Sequence, residues 1–174
     1  MNGLTGTRRL ARPVRLSLAR DLGGDIDGAW WPHSAAVARE LPEFIQLMHR
    51  PLGEVLDICV NWSNSEAAMD LSTIASGAGL VRGAQHRRPR LMAVTGRDGC
   101  LRLLVVPHLT PQALGTMVMR CAAAMPAPEP GREAQLLETA NTVIRLAEAE
   151  SARWTTHMNG ENATDPVAAQ PVHD

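Results

Sequence analysis

The sequence predicts an α+β domain: an antiparallel β-sheet of about five strands with two to four helices packed mainly on one face. Three observations predict it. Short runs that alternate apolar and polar residues cluster together, and helices do not separate each from the next. Two segments with apolar residues at three-four spacing follow the last strand, with no strand between them. The sequence "GRDG" at 96–99 is a tight-turn signal between two β-rich runs, as a hairpin requires.

The elements follow in order. Residues 1–11 read as a disordered arm, residues 12–154 as one domain and residues 155–174 as a disordered tail. Val14, Leu16 and Leu18 alternate with Arg15, Ser17 and Ala19, a half-buried strand with arginine outside. "DLGGDIDG" turns the chain, and Ala29 to Trp31 is held extended by Pro32. Ser34 is placed to cap a helix striped by Val37, Leu41, Phe44, Ile45 and Met48, which Pro42 either kinks or divides. Glu54 to Trp62 is a strand with Leu56, Ile58, Val60 and Trp62 on one face and Val55, Asp57, Cys59 and Asn61 on the other. A further strand is expected at 79–84, and the hairpin strands at 90–95 and 100–106. Thr110 with Pro111 opens a helix striped by Leu114, Met117, Val118, Cys121, Ala122 and Met125. A last helix from about Arg132 to Trp154 carries Leu136, Leu137, Ala140, Val143, Ile144 and Ala147 on one side.

Composition excludes several chemistries. The net charge is −1, so no global field calls for nucleic acid or an anionic membrane. All seventeen basic residues are arginine. Without lysine there is no P-loop and no Schiff-base catalysis; without tyrosine there is no phenolic acid or base. Cys59, Cys100 and Cys121 are far apart and form no CxxC, the usage of buried reduced thiols in the cytoplasm. No run is long and apolar enough for a membrane span. No cofactor and no metal are implied by any spacing of His, Cys or acidic residues.

Local motifs each have a functional and a packing reading. Asp25 and Asp27 form a DxD that offers too few oxygens for a cation; as a turn, its aspartates bond backbone amides. Ser76 in "TIASGAGL" lacks the first glycine of a nucleophile elbow. Arg82, Arg87, Arg88 and Arg90 crowd "RGAQHRRPR" with His86, a phosphate-gripping run or a solvated cover for a sheet edge. Asp57 invites an ion pair from Arg102 or Arg15. Trp30 and Trp31 are half of the chain's four tryptophans. In an extended segment they must point to opposite faces, one beneath the first helix and the other over a sheet edge or groove.

The strings "DIDGAWWPHS", "ELPEFI", "VNW" and "LRLLVVP" resemble an actinobacterial family of unknown function built around a DGAWWP-type signature, over about residues 13 to 125. The resemblance implies a small cytosolic α+β domain and brings no catalytic residue with it. The first expectation for function is a non-enzymatic domain that self-associates or binds a protein partner. The second is a small-molecule domain taking a phosphate-bearing ligand on Trp30, Trp31, Arg82, Arg87, Arg88 and Arg90. The third is an enzyme with a dispersed set such as His33, Asp57 and His108.

Overall fold

The computed structural model describes residues 12–64, 66–75, 88–129 and 131–162. The chain order is β1 (Leu16–Leu18), β2 (Gly28–Trp30), α1 (Val37–Leu52), β3 (Val55–Val60), α2 (Ser72–Ala75), β4 (Leu91–Gly96), β5 (Gly99–Val105), α3 (Gln112–Ala122) and α4 (Ala134–Asn162). The expected strand at 79–84, Ser76, Arg82, His86 and Arg87 lie outside the described residues.

The five strands form one sheet in the order β1-β2-β5-β4-β3. Its pairing corrects the all-antiparallel expectation: β2 runs parallel to β5, with Trp30 opposite Val105, and the other pairs are antiparallel. Burial accounts for the central place of these two strands, not for their direction. Ala29, Trp30 and Trp31, like Leu103, Leu104, Val105 and Val106, are apolar on consecutive positions and buried throughout. Such strands need cover on both faces and therefore sit in the middle of a sheet.

The same burial qualifies the expectation of helices mainly on one face: α2, α3 and α4 share one face, and the other is covered too. α1 covers one face, where Trp30, Phe44, Met48, Leu52, Met92, Val94, Leu101, Leu103 and Val105 form a core. On the opposite face, Ala29, Trp31, Leu91, Leu104 and Val106 pack with Leu114, Val118, Ala140, Val143 and Ala147 of α3 and α4. Trp30 and Trp31 thus anchor one core each, at 1% and 3% exposure. The Trp30 ring lies 4.5 Å from that of Phe44, and Trp31 donates its indole N–H to the Pro107 carbonyl at 3.1 Å.

Local caps differ from expectation. The N-cap of α1 is Ala36, with no side-chain bond. Ser34 instead donates its hydroxyl to Glu40, whose carboxylate also accepts the amides of His33 and Ser34. Glu40 therefore does the work assigned to Ser34, in the first turn where a carboxylate favours the helix dipole. Pro42 stays inside one unbroken helix. It is exposed, and so is Ala38, whose carbonyl it leaves without an amide. Pro111, not Thr110, stands at the N-cap of α3, and the Thr110 hydroxyl has no partner.

β3 carries an irregularity between Val55 and Asp57 that leaves Leu56 without a partner in β4. The expected face assignment shifts accordingly: Val55 packs beside Ile58 and Trp62, and Leu56 is 59% exposed. α4 runs past Trp154 to Asn162. Apolar periodicity stops there, but each added residue extends an existing helix at little cost, and Thr155 and Thr156 bond back to the carbonyls of Ser151 and Ala152.

Candidate functional site

The sheet ends in two different edges. β1 has three residues and is flanked by Arg12, Pro13 and Arg20, the usual protection against unwanted pairing. β3 has six residues, Val55–Val60, with no proline, glycine, lysine or arginine and one charge, Asp57. Among the described residues no strand pairs with its outer side. The Asn61 amide donates to the Leu91 carbonyl at 3.2 Å, so its backbone groups turn toward β4. Backbone groups alternate along a strand, so Ile58 and Val60 turn theirs to the outer edge. Leu56 and Val60 are exposed beside it, at 59% and 40%.

The end of this edge is held by a cluster of buried and charged groups. Asn61 accepts the Leu91 amide at 2.7 Å and donates to the Pro89 carbonyl at 3.0 Å and to Glu150 at 3.4 Å. Glu150, on α4 and 6% exposed, also meets Arg88 at 3.7 Å and Arg153 at 3.0 Å. Arg88 reaches Glu66 at 3.3 Å as well. The Arg90 guanidinium lies 5.2 Å from the Trp62 ring and donates to the Glu66 carbonyl; burial lowers it from the ordinary guanidinium pKa, with Glu66 acting against the shift. The cluster fixes the last turn of β3 to α4 and to the start of β4. Asn61→Ala strands the buried Leu91 amide, and a urea melt should show a loss of about 1–3 kcal/mol.

The expected site residues are therefore only partly together. Arg88 and Arg90 share the cluster, each already held by carboxylate, carbonyl or indole. Trp30 and Trp31 are far inside, on opposite faces, with no free ring surface for a ligand. Surface concavities follow α4 instead, one lined by Arg153, Thr156, His157 and Glu161, another by Pro128, Glu133, Leu137 and Asn141. Neither touches those tryptophans or arginines.

The dispersed set His33, Asp57 and His108 does not converge. β2 and β3 are separated by β5 and β4, about 14 Å across the sheet. Asp57 stands opposite Thr95 near the β4–β5 turn, while His108 follows the far end of β5. His33 bonds the Pro13 carbonyl at 2.9 Å. Among the described residues no group of three or more His, Cys, Asp or Glu is placed to hold a metal. The expected ion pair of Asp57 is also absent: Arg15 bonds the carbonyls of Trp31 and Pro32, and Arg102 meets Ser151. Asp57 instead accepts the Cys59 thiol at 3.1 Å.

The DxD takes its packing role. Asp27 is 1% exposed and accepts the amides of Gly23, Gly24 and Arg102, while Asp25 is exposed. Cys59 and Cys121 are half-buried and Cys100 is exposed, which corrects the expectation of three buried thiols. Asp57, as hydrogen-bond acceptor first and as charge, raises the Cys59 thiol, and burial raises Cys121. At pH 8 iodoacetamide should label Cys100 first, and Asp57→Asn should speed Cys59. Mass spectrometry finding Cys59 as fast as Cys100 in the native protein would contradict this.

Among the described residues, a five-stranded mixed sheet between α1 and the α3–α4 pair, with β3 unpaired on its outer side and no group placed to hold a metal, defines the class: an α+β domain. The chain belongs to a family of unknown function, DUF5994, which matches residues 15–122, from β1 to the end of α3. No curated protein and no solved structure matches it. No helix among the described residues is long and apolar enough to cross a membrane.

Proposed function

We propose that this is a non-enzymatic interaction domain whose working surface is the free edge of β3. The observation that carries the reading is the contrast between edges: a three-residue strand guarded by arginine and proline on one side, and a six-residue strand without either on the other. An edge of that kind accepts an added strand, with main-chain bonds giving affinity and neighbouring side chains giving selectivity. The separation of Asp57 from His33 and His108 supports binding over catalysis. The engagement of Arg88 and Arg90 by Glu66, Glu150 and Trp62 weighs against a phosphate-bearing ligand there, since it would have to displace two carboxylates. We take the compartment to be the cytosol of an actinobacterium, supported by arginine in place of every lysine and by free thiols.

The test is binding of extended peptides of alternating apolar pattern, selected from a library on beads. Val60→Pro deletes one outward amide and leaves the β4 side of the strand intact, a substitution an edge tolerates. The expected result is selection by the native protein and loss in Val60→Pro. Equal selection by both proteins would remove β3 from the reading.

A further inference from the structure

Resting on that reading, we infer that the strand added to β3 is the β3 of a second copy, paired antiparallel about a two-fold axis at Ile58. The sequence Val55–Val60 is complementary to itself in this register. Ile58 faces Ile58 of the other copy, and its outward amide and carbonyl exchange two hydrogen bonds there. Val60 faces Leu56, twice by symmetry, so the two most exposed apolar side chains of the strand cover each other. Asp57 falls opposite Cys59, so the only charge in the strand does not face its own copy. A partner of different sequence would need no such self-match. A two-fold contact requires it, because the same patch serves both sides.

The axis stands perpendicular to the sheet and joins two five-stranded sheets into one of ten, with both α1 helices on the same face. The cluster of Asn61, Arg88 and Glu150 then lies just beyond the paired segment and sets its length.

Light scattering over a dilution series is the experiment, with Val60→Pro and Leu56→Glu alongside and a thermal melt to check that each is folded. The native chain should give twice its 18.8 kDa mass at high concentration and dissociate on dilution. Val60→Pro should remain monomeric with its melt retained. Leu56→Glu, at a position too exposed to disturb the core, should weaken association about tenfold or more, as loss of an interface anchor does. A native monomer across the whole series overturns the inference, as does a dimer that both folded variants retain. If Val60→Pro fails to fold, Leu56→Glu decides alone. A native monomer that still selects peptides loses the self-pairing and keeps the interaction reading; a monomer that selects none loses both.

Discussion

Trp31→Ala is expected to lower the unfolding free energy by about 3–5 kcal/mol, the range for emptying a large aromatic site in a packed core. Domains of this kind have roughly 5–15 kcal/mol in total, so the variant should be close to unfolding at ambient temperature. The site cannot collapse easily. One side of the ring lies under the Arg15 guanidinium, 3.7 Å from the centroid, and Arg15 is itself tied to the carbonyls of Trp31 and Pro32. The ring tip rests on Gly115 of α3, where an added Cβ would come within 2.3 Å of it. Gly115→Ala is thus the converse test: alanine favours a helix by up to about 1 kcal/mol, yet overpacking costs about 1–3 kcal/mol, and the melt should fall. A rise in the Gly115→Ala melting temperature would show that Trp31 is not held where it lies.

Asp27→Ala should have the second largest effect, about 3 kcal/mol, because one carboxylate satisfies three amides from two distant stretches. Gly23 and Gly24 lie in an exposed loop and recover part of the loss from water; the Arg102 amide, in the sheet, recovers less. Asp27 also accepts the Ala19 amide through its own carbonyl and donates its amide to Arg102, so the residue joins β1, β2 and β5. Asp27→Asn keeps acceptor capacity on one oxygen and should fall between native and Asp27→Ala in a urea titration. Equal stability of all three would mean the loop does not need the carboxylate.

Gly28 next to it has a related constraint. A Cβ there would meet the Ser17 carbonyl oxygen at 2.1 Å, so β1 can lie against β2 only because the residue has no side chain. The run from Asp27 to Trp31 therefore carries a loop lock, a close strand crossing and one anchor for each core. Its concentration of scarce aromatics is a packing solution for a sheet covered on both faces.

Much of this was legible in the sequence. The alternation of Val14, Leu16 and Leu18, the "GRDG" hairpin and the stripe from Val37 to Met48 each predicted the element found. The two faces of the sheet were legible too, in unbroken apolar runs rather than in alternation. "GAWW" and "LLVV" are apolar without a break, and only strands covered on both sides need that. The parallel pairing of β2 with β5 was not legible, because it joins stretches far apart in the chain and leaves no local mark. The bulge at Leu56 was hidden for a similar reason: it is defined by the partner strand, and one sequence shows only a regular alternation. The candidate site was half visible. Arg88 and Arg90 were marked by their crowding, but their partners Glu66, Glu150 and Trp62 come from three other places in the fold.

The free edge of β3 is tested most directly by amide hydrogen exchange at Ile58 and Val60 in native protein at low and high concentration. Both amides should exchange rapidly in dilute protein and become protected as concentration rises, while the Asn61 amide, already bonded to Leu91, stays protected throughout. Rapid exchange of Ile58 and Val60 at every concentration would contradict self-pairing. Protection that does not change with concentration would mean that the edge is not free at all.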